Sequence, residues 1–364
     1  MMGREDELTF TPDILSRVVP ELIFQRNLSI GTRMNNRKFE EFAKYQTNTF
    51  RDIIKDPEIL GSSILEIQDT PNSTTVFVTI KGGVVEDTER PLYKQYEDRI
   101  PGIYPVVEIE RGRGNSPPSD EEMIVGQLLN DILQHCGIIS CESLKINIEN
   151  RNTVEKDEID FLGLQTGGKR WKFVLYIKIN VFNRDGPIFH ACWNAIMTAL
   201  RDTRLPQVYI NEENLNEVAY NLRLLKNKNR RNRFQSNEKV NKILCFNQLQ
   251  TYPLRLNENN ICYGCNFGIT RLQPEYSLIE DEGEEEKRET SELVLISDIS
   301  REGEEASLSN QLNILVTPNG NIKYLSLSVG DNKDKGNVSI ELLKKSIRLA
   351  IERSRELQAL NKKD

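Results

Sequence analysis

Two histidines and six cysteines are the conventional catalytic and metal-binding material in this 364-residue chain. Cys262-Tyr263-Gly264-Cys265 has the spacing of half a zinc site. Zinc needs four ligands, usually from a second pair, and Cys136 and Cys141 have the wrong spacing for one. The residues around Cys262 read as a strand, whose period of two sends Cys262 and Cys265 to opposite faces. Two buried thiols are expected. His135 ends a helical pattern and His190 opens another. Neither has a nucleophile elbow of the G-x-S-x-G kind nearby, so both are expected to be structural. Gly167-Gly168-Lys169 lacks the first glycine and the following Ser or Thr of a phosphate-binding loop, and Gly112-Arg113-Gly114 lacks the third glycine of a dinucleotide fingerprint. No metal and no cofactor is expected.

Any site must be positioned by the strongest pattern in the chain, Trp171 to Leu205. Phe173 to Val181 is a β-rich alternating run, Asn183-Arg184-Asp185-Gly186 is a polar turn, and Pro187 falls where a first helical residue belongs. Ile188 to Leu200 is helical and apolar on nearly every side, which marks a buried helix. Its 13 residues fall well short of the roughly 20 that span a bilayer.

Before this pair, Thr11-Pro12-Asp13 reads as a helix start, with a break at Pro20 and a second turn through Leu28. Gly61 to Val85 reads as a hairpin about Asp69–Ser73, Ile103 to Ile109 as a strand, and Leu144 to Ile148 as another. Ser119 and Glu122 have the spacing of a capping box for a helix that stops at Gly137. Asn150 to Lys169 has no clear period. Beyond the pair, strands are expected at 205–210, 243–246, 261–269, 293–299, 312–316 and 322–329, with a hairpin at Pro318-Asn319-Gly320. A last helix starts near Ser339, with Ile340, Leu343, Ile347, Ala350 or Ile351, Ser354 and Leu357 along one face.

The strand–turn–strand–helix pattern recurs late in the chain, so two related α+β halves are expected: 1–225 and 241–364, joined by a basic linker at 226–240. Lys226 to Arg233 contains no aromatic residue for base stacking. It reads as a solvated linker or an import signal, and Glu280 to Glu286 as a solvated acidic loop. The net charge is −7 and hydrophobic residues make up 38 %. An acidic chain is no stand-alone nucleic-acid binder by overall electrostatics, so RNA contact requires local basic patches or partner chains. The start of the chain has no signal-peptide order and no apolar run reaches membrane length, so a soluble, intracellular protein without membrane contact is expected.

Several stretches together carry a family resemblance. DGPIFHACWNAIMTALRDTRLP, PELIFQRNLSIGTRMNNRKFEEF, YPVVEIERGR followed by SDEEM, and CNFGITRLQPE resemble the RNase PH family in its eukaryotic exosome-ring branch. The resemblance spans nearly the whole chain and implies the RNase PH-like α+β fold (ribosomal protein S5 domain 2-like). Active members of that family set inorganic phosphate against an RNA phosphodiester. Such a site must neutralise two anions with a helix N-terminus and bidentate arginine. Their turn reads roughly Asp-Gly-Gly-Thr-Arg, which falls here on Asp185, Gly186, Pro187, Ile188 and Phe189. Pro187 removes an N–H, Ile188 a hydroxyl and Phe189 a guanidinium. Loss of even one such donor typically costs about 10²–10³ in rate. The family's general acid falls on Asn310, whose amide cannot deliver a proton as a carboxylic acid can. Glu304 keeps a second acidic position.

The resemblance therefore implies a non-catalytic structural subunit of an exosome core ring. Its partners would be other RNase PH-like subunits, cap subunits with S1 and KH domains, and a docked hydrolytic exoribonuclease. RNA would pass through the channel, where Arg111 and Arg113 are candidates for contact; otherwise these arginines are exposed or paired with Glu108 and Glu110. Nucleus, nucleolus and cytoplasm are the expected locations. An active phosphate-dependent 3'-5' exoribonuclease and a stand-alone RNA-binding module using 226–233 are the alternatives.

Overall fold

The computed structural model describes residues 14, 18–68 (apart from 34, 52, 54, 55 and 57), 73–87, 102–112, 117–146, 149–150, 170–210, 223–224, 244–271, 293–329 (apart from 309) and 339–361. The basic run 226–233, the acidic run 280–286, the excursion 151–169, Thr11–Asp13, the hairpin turn 69–72 and Arg113 lie outside them.

One helix is sandwiched between two sheets. The first sheet runs β1-β2-β3-β6-β4, from β1 (Lys44–Asn48), β2 (Ile59–Gln68), β3 (Ser73–Asp87), β4 (Ile103–Ile109) and β6 (Arg170–Phe182). Along that path the strands pair antiparallel except β4 with β6, which are parallel. A parallel pair needs a crossover, and α2 (Asp120–His135) lies in it, after α1 (Pro20–Ser29). The second sheet runs β11-β10-β12-β13, from β10 (Tyr263–Arg271), β11 (Leu293–Ser297), β12 (Asn310–Val316) and β13 (Ile322–Val329), all antiparallel. Between the sheets lies α3 (Phe189–Asp202), packed on β2 and β3 on one side and β10 on the other. The remaining helices are α4 (Arg301–Ser307) and α5 (Ile340–Leu360), which covers β10 and β12. A smaller ribbon joins β5 (Glu149–Asn150), β7 (Arg204–Ile210) and β9 (Leu244–Pro253), and β8 (Arg223–Leu224) pairs with β3.

This layering explains the all-round apolar sequence of α3. Every residue from Phe189 to Leu200 is buried, because both sides of the helix meet a sheet. At roughly 1.5–3 kcal/mol for each large apolar side chain, that burial is a main source of stability. Two of its buried polar side chains bond to the backbone of the second half. Trp193 Nε1 donates to the Cys262 carbonyl at 2.8 Å, and Asn194 exchanges two hydrogen bonds with the Gly264 backbone at 2.8 and 3.0 Å. Gly61 of β2 comes so close that a Cβ there would lie 2.3 Å from Thr203 Oγ1.

Several expectations change in detail. Of the strand expected over Leu144 to Ile148, Leu144 instead ends a 3-10 turn, Cys141–Leu144, and Lys145 makes a bridge to Lys172, while 147–148 lie outside the described residues. Ser140 caps that turn through a hydrogen bond from the Ser143 N–H, a local alternative that wins over β pairing. Pro187 precedes the N-cap, Ile188, rather than opening the helix. On α5 the buried line is Ser346, Ala350, Arg353, Ser354 and Leu357, while Ile340 is exposed. Arg353 reaches inward because the Phe42 and Tyr45 rings and the Ala43 carbonyl receive its guanidinium.

The N-terminal helix docks on the C-terminal half. Phe24 and Leu28 of α1 pack with Ile296, Ile299 and Leu308. Just beyond, Arg33 donates to both Glu304 oxygens (3.1 and 2.6 Å) and to the carbonyls of Ser297 and Asp298, with both charged side chains fully buried.

Candidate functional site

The turn between β6 and α3 is shaped by glycine and pinned by threonine. Gly186 has φ +91, and a Cβ there would sit 2.7 Å from the Ile299 carbonyl oxygen. Both the left-handed backbone and the close approach demand glycine. Asn183 is also left-handed, at φ 51. Thr74 Oγ1 donates to the Asn183 carbonyl at 3.0 Å and accepts from the Asp185 N–H at 3.1 Å, tying the turn to the start of β3.

The cation of the turn is committed elsewhere. Arg184 Nε donates to both oxygens of Glu121 on α2, at 2.9 and 2.8 Å. Its Nη2 donates to both oxygens of Glu305 on α4, at 3.2 and 3.0 Å. Arg184 is thus a bracket between two acids rather than a free anion ligand.

At the head of α3, Ile188 occupies the N-cap without a side-chain cap. Phe189 is buried, with its ring centroid 5.8 Å from that of Tyr324 on β13. His190 is buried, and among the described residues its Nδ1 has no hydrogen-bond partner. Its Nε2 lies 4.0 Å from Asp298 Oδ1. Burial pushes the imidazole below its ordinary range. Asp298 pulls it up, while Arg353 and Arg37 push it further down. His190 is therefore neutral at pH 7, and the 4.0 Å contact is no ion pair.

Opposite the helix head stands Asp298, a left-handed non-glycine residue at φ 49. Its strain is held by many bonds. Oδ2 accepts from the Ala43 N–H, its N–H donates to the Asn266 carbonyl, and its carbonyl accepts from Arg33 and Arg37. Arg37, Thr74, Asp185, Gly186, His190 and Asp298 contribute to a cavity of about 20 Å³. That is room for about one water molecule.

The residues singled out from the sequence sort themselves as follows. Pro187 lines the cavity, whereas Phe189 turns to Tyr324. Asn310 begins β12, paired with Ile269 and Val329, and is not among the cavity's lining residues; Asp298 is the carboxylate that faces the helix head. Glu304 is held by Arg33 and by the Ser300 N–H. Arg111 is paired, but with Glu122 at 2.5 Å rather than with Glu108 or Glu110, which bind Lys178 and Asn180. Glu122 also accepts from the N–H groups of Ile109 and Ser119, completing the predicted capping box. Burial raises the Glu122 carboxyl, but these bonds and Arg111 outweigh it and hold it below the ordinary range. Arg37 and Asp298 have no motif to announce them. The available signal was the presence of loop arginines and of an acid between apolar stretches, each needing an opposite charge if buried.

Cys262 and Cys265 fall in different cores, the first with Trp193 and Leu315, the second with Phe267 and Ala350. Burial pushes both thiols up, and that of Cys192 up to about 12, so these are not reactive thiolates at neutral pH. Among the described residues no cluster of His, Cys, Asp or Glu could hold a metal.

Sandwiched helix, glycine turn and two sheets together define an RNase PH-like α+β fold. Residues 42–206 match the RNase PH family model, described as the 3' exoribonuclease family, domain 1. Over 212 residues it is 26 % identical to Exosome complex component rrp43 of Schizosaccharomyces pombe, a match covering 57 % of this chain and 66 % of that protein, just under two thirds of its length. The fold matches an Archaeoglobus fulgidus exosome with RNA bound to the active site, with TM-score 0.55 and 14 % identity over 95 % of this chain and 99 % of that one. It also matches an archaeal exosome core, with TM-score 0.56 and 14 % identity over 96 % and 98 % of the two chains.

Proposed function

We propose that this chain is a non-catalytic structural subunit of the RNA exosome core ring. In this reading it supports 3'-to-5' RNA processing and degradation by building the ring and channel that feed RNA to an associated nuclease. The likeness to an exosome component supports the assembly. The observation that carries the silent role is the small cavity at the head of α3. A volume of about 20 Å³ admits a water molecule, whereas phosphorolysis must seat a phosphate ion and an RNA phosphodiester together. The surrounding charges point the same way, since Arg184 is bracketed by Glu121 and Glu305 and Arg37 bonds to backbone carbonyls.

In the assembly the chain adjoins other RNase PH-like subunits and S1/KH cap subunits, and a hydrolytic exoribonuclease docks on the ring. Arg111 and Arg113 are the candidates for contact with RNA in the channel. rRNA maturation and mRNA turnover, in nucleus, nucleolus and cytoplasm, are the processes and places that follow from this role.

The test has two parts. Purification of the tagged chain from its host, with mass spectrometry of stoichiometric partners, should recover several RNase PH-like paralogues and cap proteins. Recovery of a homo-oligomer alone would sink the proposal. A phosphate-dependent RNA degradation assay on the chain should be negative; phosphate-dependent release of nucleoside diphosphates would make it an active phosphorolytic exoribonuclease.

A further inference from the structure

A second cleft lies beyond the C-terminal end of α3, a helix about 20 Å long, and shares no residue with the glycine turn. Its volume is about 410 Å³, and Lys145, Gln207, Gln250, Tyr252 and Arg255 contribute to its lining, with Glu142 as the acid among them. The backbone explains why it is there. Pro206 in β7 has no N–H to give the ladder, and the register breaks beside it. Pro206 faces Thr251 while Gln207 faces Asn247, so residues 248–250 of β9 have no opposite number. A bulge of this kind bends the ribbon and re-aims its side chains.

The cleft's cations are weakly engaged. Lys145 lies 3.7 Å from Glu142, but both are exposed, at 48 % and 85 % of their side-chain surface, and such a pair is worth little. Arg255 is exposed. Tyr252 is 37 % exposed; burial of its other part raises the phenol, and nearby Arg255 opposes that rise. The cleft therefore offers a partly exposed aromatic ring and two cations.

Each of these groups has a counterpart in a ribonucleotide. A base stacks on an aromatic face, and its phosphate seeks Lys and Arg. The volume lies in the range that encloses a small organic ligand. We propose that this cleft binds one nucleotide unit of single-stranded RNA, at a site separate from the remnant at the head of α3. An acidic peptide would use the two cations but has no comparable use for the aromatic face. The proposal does not rest on ring membership.

The test uses the full chain, alone or in whatever assembly it purifies with. The probe is a fluorescent 20-nucleotide oligouridine bearing 4-thiouridine. Ultraviolet cross-links mapped by mass spectrometry should fall on 142–146 or 250–255. Tyr252→Ala should weaken binding about fivefold or more, the lower end of base–aromatic stacking, while Tyr252→Phe should retain it. Lys145→Ala with Arg255→Ala should reduce the slope of log affinity against log salt by roughly 0.7, the value for one phosphate of a single strand that is no longer neutralised. All are surface changes, and unchanged thermal unfolding would confirm that the variants fold. Cross-links confined to 226–233 or 111–113, with Tyr252→Ala within twofold of the parent, would overturn the proposal. So would absence of binding at low salt. Equal displacement by polyglutamate of matched charge would also overturn it and identify the cleft as an acidic-peptide site.

Discussion

The two ends of α3 use charge in opposite ways. At its head, Arg184 holds two acids, Arg33 holds Glu304, and Arg37 and Arg353 bond to backbone carbonyls around Asp298. The space left is about the size of a water molecule. Beyond its tail, Lys145 and Arg255 stand exposed beside an open cleft twenty times larger in volume, about 410 against about 20 Å³. The number of cations near a site says little about ligand binding. What counts is whether the fold has already given them partners.

That contrast can be broken most forcefully at the head. Arg33→Ala should leave Glu304 as an uncompensated buried charge and cost about 3–5 kcal/mol in urea unfolding. The double variant Arg33→Met with Glu304→Met should recover much of the loss, since well-packed apolar residues often replace a buried ion pair at little cost. A loss under 1 kcal/mol for the single change would mean that the pair is not buried in solution.

Restoring donors to the turn is the next largest effect. Ile188→Thr with Phe189→Arg should destabilise the protein by about 3 kcal/mol or more, because it buries an unpaired charge where an aromatic ring packed. It should yield no phosphate-dependent RNA degradation. Activity in that variant would show that the cavity opens enough to seat phosphate. Gly186→Ala should cost about 1–3 kcal/mol, from backbone strain at φ +91 and the clash with Ile299.

A smaller effect should appear with pH. Because the folded His190 pKa lies below its unfolded value near 6.5, the unfolded chain binds the proton more readily. Stability is then whole above about pH 6.5 and falls as pH drops below it, by at most about 1.4 kcal/mol per pH unit. Comparison of denaturation midpoints at pH 7.5 and 5.5 should show the fall, and His190→Gln should flatten it. The charged groups that act on His190 are Asp298, which favours its protonation, and Arg353 and Arg37, which oppose it.

The least effect on stability is expected in the cleft. Tyr252→Ala and Arg255→Ala should stay within about 0.5–1 kcal/mol of the parent in unfolding, as surface changes usually do. A large destabilisation there would mean that these side chains hold the ribbon together rather than wait for a ligand.

Much of the frame was legible from residue order alone. The period of β6, the all-round apolar α3 between a polar turn and Thr203, the capping box at Ser119 and Glu122, and the split of Cys262 from Cys265 all follow from local periodicity. The turn itself was found through Asp185-Gly186. Its surroundings were not, because Arg37 lies about 150 residues before it and Asp298 more than 110 after it, with no short-range pattern linking them. Asp298 was missed for the same reason: one-dimensional spacing does not tell which residue a left-handed backbone turns toward the helix.

By itself the sequence determined most of the strands and helices, though not β1, α4 or the turn at Cys141–Leu144, that α3 is buried, and that the turn before it lacks a hydroxyl and a guanidinium at Ile188 and Phe189. These are properties of side-chain type and period, which act over a few residues. Only the tertiary structure decided that Arg184 is bracketed by Glu121 and Glu305, that Arg33 locks the N-terminal segment to the C-terminal half, and that a bulge beside Pro206 opens a cleft. Pairing of buried charges and the volume between packed elements depend on distances across the whole fold. No local pattern encodes them.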